Sequence, residues 1–177
     1  MKTIILVPTM YSEEDLKETL GKVPPDFHKE SEEFWSYIGE KLRQIAPSIH
    51  AIYLAWSEET VDPRAAHIVD FLQGNGVEVH RLEDRTLVGE ARAWYLMAHG
   101  SGGGVEEVFL EEVDRELSDV LRRMLVSSLG DTKMGVIFFE PACKLSLGDD
   151  VRVIRMSPFD PLDYLTRHLV RKRISEE

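Results

Sequence analysis

Short apolar runs alternate along the chain with longer segments of helical periodicity. Five runs read as strands: Thr3–Val7, Ala51–Trp56, Val77–Leu82, Met134–Phe139 and Val151–Met156. The first, second and fourth are nearly unbroken Ile, Leu, Val, Phe and Tyr, which suits strands covered on both faces, the habit of parallel sheets. Trp35, Ile38, Leu42 and Ile45 recur at helical spacing, as do Ala65, Ile68, Val69 and Leu72. A longer stripe runs from Val105, Val108 and Phe109 through Val113, Leu117 and Leu121 to Leu125, about five turns. Leu162, Leu165 and Leu169 mark a last helix.

The punctuation agrees with this division. Asp62-Pro63 and Asp160-Pro161 each place a capping carboxylate before a proline at the first helical position. Ser12 and Asp15 have the spacing of a capping box, and Gly74-Asn75-Gly76 reads as a helix stop. The alternation predicts a three-layer α/β domain with a mainly parallel sheet of about five strands and flanking helices, residues 1–177 forming one domain. The run Gly100–Gly104 is too short to separate domains. Leu16–Ser31, with Pro24-Pro25, reads as a loop over the site or a plain connection.

Composition narrows the partners. Against 21 Lys and Arg stand 32 Asp and Glu, a net charge of -11. Such a balance argues against nucleic acid and against an anionic membrane surface. One cysteine excludes an internal disulfide and any Cys-based zinc pattern. The apolar run before Pro8 is shorter than a signal-peptide core, and no run approaches the roughly 20 residues of a membrane span. A cytoplasmic location is therefore expected. One Asn and two Gln beside many Glu and Arg hint at a thermophilic source.

In open parallel sheets, ligands gather outside the carboxyl ends of the strands. Polar residues recur there: Tyr11 after the first strand, Glu83, Asp84 and Arg85 after the third, Glu140, Cys143 and Lys144 after the fourth. Glu83, Asp84 and Glu140 are candidate ligands for Mg²⁺ or Mn²⁺, which prefer oxygen. Glu83 and Asp84 are also candidates for acid and base roles, with Tyr11 donating to developing charge. Arg85 or Arg115 would hold an anionic group. Lys144 would lower the pKa of the Cys143 thiol. Ordinary alternatives exist for each: acids at helix starts cap, and a lone cysteine usually packs. The six histidines show no metal-binding spacing, and the glycine run matches neither a P-loop nor a dinucleotide fingerprint.

The order of these motifs resembles the TraB/TIKI and erythromycin-esterase/ChaN-like superfamily. The matching stretches are Ile5–Asp15, the pair Glu83-Asp84, Arg115-Glu116, and Gly135–Glu140 with the Cys143 region. The resemblance implies hydrolase or metal chemistry at the strand ends. Where such families carry histidines, this chain has Tyr11 and, after the Gly-led strand, Cys143 or Lys144. A phenol in place of an imidazole removes a neutral-pH base. Two functions follow as expectations: a divergent hydrolase with a carboxylate-rich site, or a noncatalytic module that binds a small molecule or assembles as a homo-oligomer. Trp56, Trp94 and Tyr95 would line an interface in the second case and core otherwise.

Overall fold

The computed structural model describes residues 1–177. Five strands form one all-parallel sheet: β1 (Lys2–Pro8), β2 (Ile49–Ala55), β3 (Glu78–Arg81), β4 (Met134–Phe139) and β5 (Val151–Arg155). Their order across the sheet is β3-β2-β4-β1-β5. Six helices connect or follow them: α1 (Glu13–Leu20), α2 (Phe27–Ile45), α3 (Pro63–Gly74), α4 (Thr86–Ser101), α5 (Val105–Ser128) and α6 (Pro161–Glu176). The expected three-layer α/β architecture is present. No helix is long and apolar enough to cross a membrane.

The unbroken apolar strands serve two cores at once. Successive side chains of a strand point to opposite faces. Ile5 and Val7 of β1 join Leu16, Ile38, Leu72 and Leu165 on one face. Ile4 and Leu6 join Ala91, Leu117, Leu121 and Leu125 on the other. Thus α1, α2, α3 and α6 cover one side, and α4 and α5 the other. Gly135 in β4 admits this packing, because a Cβ there would lie 3.2 Å from Ile4, Tyr53 and Leu129 side-chain atoms.

Three expectations change. Leu16–Ser31 is largely helical: α1 closes on Gly21 in the left-handed region (φ 79°), and α2 starts at Phe27 just past Pro24-Pro25. The long stripe is buried only from Val113 onward; Val105, Val108 and Phe109 are exposed. The third change is α4, a full helix with no clear apolar stripe. Its apolar residues point several ways because several elements surround it. Leu87, Val88 and Ala91 pack on the α5 side, Leu96 reaches the opposite core, and the Tyr95 hydroxyl bonds to Thr166 of α6 at 2.8 Å. The helix therefore crosses the carboxyl end of the sheet from β3 toward α6.

Candidate functional site

β4 lies between β1 and β2. The chain leaves β1 and β2 toward one face, whereas the segment after β4 stays on the other, where Cys143 and Leu147 are buried. Diverging connections open a crevice at the strand ends, the usual ligand position in such sheets. Here it is lined from β1 by Thr9 and Tyr11, from β2 by Trp56, from β4 by Glu140, and from the helices by Asp15, Trp35 and Arg92.

Backbone bonds continue the ladder past the strands and fix these residues. Thr9 N donates to Phe139 O at 3.0 Å, and Glu140 N donates to Ala55 O at 3.1 Å. The capping box anticipated at Ser12 and Asp15 is formed, with Asp15 N donating to Ser12 Oγ and Ser12 N to Asp15 Oδ2, both at 3.1 Å. Asp15 thereby presents its other oxygen inward.

Four side chains form a buried polar network on this frame. The Tyr11 hydroxyl donates to Glu140 Oε1 at 2.8 Å. Arg92 donates through Nε and Nη2 to Glu140 Oε2 at 3.1 and 2.6 Å, and through Nη1 to Asp15 Oδ1 at 2.7 Å. Its guanidinium also lies 5.2 Å from the Tyr11 ring centroid, a cation–π distance. Burial, reinforced by the Glu140 charge, holds the Tyr11 phenol well above its usual range, so it stays a neutral donor. Burial works against the Arg92 charge, yet Glu140 and Asp15 more than offset it and raise the guanidinium pKa. Arg92 is thus a fixed cation tying β4 to α1.

Two groups in the crevice lack partners. Trp35 and Trp56 are 3% and 6% exposed, both line the cavity, and both indole Nε1 atoms are buried without a hydrogen-bond acceptor. Leaving a buried donor unsatisfied costs about 1–3 kcal/mol. The cavity beside them has a volume of about 20 Å³, enough for one water-sized group. A shallower depression of about 390 Å³ adjoins it, sharing Ser12, Thr60, Val61 and Asp62. There Asp62 caps α3 and is held by Arg64; burial opposes its ionisation, but the Arg64 bonds outweigh it and lower the pKa.

The residues singled out in the sequence fall into separate places. Tyr11 and Glu140 meet in the crevice. Glu83 and Asp84 do not join them: both are exposed beyond β3, which β2 separates from β4. No group of three or more His, Cys, Asp or Glu side chains is placed to hold a metal ion, so the trio Glu83, Asp84 and Glu140 does not form. Asp84 instead bonds to Thr86 N and Oγ1 at the start of α4, at 3.0 and 2.6 Å. Those bonds lower its pKa. Arg85 pairs with Glu58 at 3.2 Å, and Arg115 is exposed on α5. The Cys143 thiol is 3% exposed. Burial, with the Glu140 and Asp114 charges, pushes its pKa far up, opposite to the activation expected from Lys144. Trp56 is core, while Trp94 is half-buried and stacked on Phe109 at 4.6 Å.

On the far side of α4, a groove of about 570 Å³ is bordered by His99, Asp114, Pro141 and the exposed Lys144. Asp114 accepts from Lys144 N at 3.1 Å, and burial pushes its carboxyl up to about 6. Arg92, Asp15, Trp35 and Asp114 escaped the sequence reading as site residues. Only Asp15 carried a signal, and that signal was its capping role. No protein-family model, curated protein or solved structure matches the chain.

Proposed function

We propose that the chain is a noncatalytic ligand-binding module whose site is the crevice outside β1, β2 and β4, and that it takes a small polar molecule. The observation carrying this reading is the pair of buried, unpartnered indole donors beside a cavity that continues into a larger depression. A ligand acceptor would satisfy donors that the folded chain leaves open. The carboxylates of the crevice have a different task. Glu140 and Asp15 are engaged by Arg92, so they build the wall instead of standing free as a base.

The test is thermal unfolding against a panel of small amides, polyols, amines and acids. A ligand bound only by the native state raises stability as RT ln(1 + [L]/Kd). Stabilisation present in the natural chain and in Asp84→Asn, but lost in Trp56→Phe, supports the crevice. Stabilisation that survives Trp56→Phe unchanged places the ligand elsewhere.

One observation favours hydrolysis as a second reading. Asp114, titrating near neutrality beside Lys144 on the largest groove, has the character of an acid–base group. Turnover of a nitrophenyl ester or phosphate that disappears in Asp114→Asn, with the fold retained, would establish it. Equal rates in the two proteins would remove it.

A further inference from the structure

The crevice has two compartments of opposite character, and together they specify a ligand class; this step rests on the binding reading above. The inner cavity is lined by Trp35 and Trp56, whose buried indole N–H groups have no partner in the chain and can donate but not accept. It holds one water-sized group, so a single oxygen atom fits where a whole ring does not. An anionic oxygen is disfavoured there. Glu140 and Asp15 line the same wall, and the one guanidinium among them is already committed to both.

The outer depression is acidic. Four carboxylates, Glu13, Glu14, Glu59 and Asp62, border it against one guanidinium, Arg64, and the His28 imidazole. Glu13 pairs with Lys17 and Asp62 with Arg64, both at 2.9 Å, whereas no ion pair engages Glu14 or Glu59. Two carboxylates free of ion pairs, beside a cavity lined by two tryptophans with unpartnered indole N–H groups, are complementary to one kind of molecule. We propose that the crevice binds a small organic cation carrying a neutral oxygen acceptor. The carbonyl or hydroxyl oxygen sits between the two indoles, and the ammonium group faces Glu14 and Glu59. The body of the ligand occupies the 390 Å³ depression.

Four simple probes separate the parts: 4-aminobutanamide, butanamide without the ammonium, butylamine without the carbonyl, and succinamate with the charge reversed. The readout is the indole N–H resonances of ¹⁵N-labelled protein, with Trp94 as an internal control outside the crevice. Titration with 4-aminobutanamide moves the Trp35 and Trp56 signals and leaves Trp94 in place. Butanamide binds about 5-fold more weakly, the scale of one exposed charge interaction. Glu14→Gln/Glu59→Gln erases that difference, and added salt reduces it. Butylamine leaves the indole signals unmoved.

Succinamate moving the two signals as strongly as 4-aminobutanamide would overturn the cationic class while leaving the crevice a binding site. Butanamide and 4-aminobutanamide binding alike would do the same. If none of the four moves either indole, and no molecule of the wider panel stabilises the chain through Trp56, the indoles hold a fixed water and the binding reading itself fails.

Discussion

Arg92→Ala tests the network that shapes the crevice. The substitution removes three charge-assisted hydrogen bonds of 2.6, 2.7 and 3.1 Å. It strands two carboxylates, Asp15 at 5% and Glu140 at 2% exposure. Removing one partner of a buried ion pair costs about 3–5 kcal/mol. Asp15 keeps the Ser12 N–H and Glu140 keeps the Tyr11 hydroxyl, so partial satisfaction sets the expected loss near the lower end, about 3 kcal/mol. That is a large share of a typical domain stability of about 5–15 kcal/mol. Urea unfolding of the natural chain, Arg92→Ala and Arg92→Ala/Glu140→Gln measures it. The sign of the pH effect is fixed in advance. In the variant the folded state gains by protonating its stranded carboxylates, so it binds more protons than the unfolded state. The deficit of Arg92→Ala relative to the natural chain therefore shrinks as pH falls from 7 toward 5, within about two units of the ordinary carboxylate range. The double variant recovers part of the loss at pH 7, since the amide still accepts from Tyr11. A loss under about 1 kcal/mol, the worth of an exposed pair, would refute the account, as would a deficit that grows on acidification.

Other parts of the structure make their own commitments. Asp114 has a raised folded-state pKa of about 6 against an ordinary value of 3.8, so the folded state binds more protons between those values and stability falls as pH rises through that window. Asp114→Asn removes this loss: its melting temperature exceeds that of the natural chain at pH 7.5 and the advantage vanishes at pH 4, which calorimetry reads directly. Gly135→Ala forces a methyl group against three side chains at 3.2 Å and lowers stability by about 1–3 kcal/mol in urea titrations; an unchanged midpoint would show that the core on the α4 and α5 side yields. Native protein at pH 8 labels slowly with iodoacetamide because Cys143 is buried and its thiol pKa raised, and labelling reaches the free-thiol rate only in denaturant.

The elements with one periodicity and one buried face were legible in the chain. Continuous Ile, Leu and Val revealed β1, β2 and β4, and the Trp35–Ile45 and Ala65–Leu72 stripes revealed α2 and α3. These segments each face a core in a regular way. α4 was opaque because it crosses strand ends and buries residues on several sides, so no stripe forms. The same geometry hid Arg92: its partners are 48 and 77 residues away, in segments that only the sheet order brings together. The rule that ligands gather at strand ends found Tyr11 and Glu140. It found Glu83 and Asp84 equally well, because it says nothing of which strands are neighbours. Without the order β3-β2-β4-β1-β5, the end of β3 looks as central as the end of β4. Trp35 was read as part of a helical stripe and Trp56 as core or interface, and both are buried. Their unpartnered N–H groups appear only when every acceptor around them is placed.

Whether those two donors are open for a ligand is the central question, and an atom-level replacement answers it. Incorporating 3-benzothienylalanine at positions 35 and 56 exchanges each indole N–H for sulfur while keeping the shape of the side chain. The free protein is expected to melt at the same temperature or slightly higher, because no hydrogen bond is lost, and stabilisation by crevice ligands is expected to disappear. A marked drop in the melting temperature of the free protein, or stabilisation that persists without the N–H groups, would contradict this expectation.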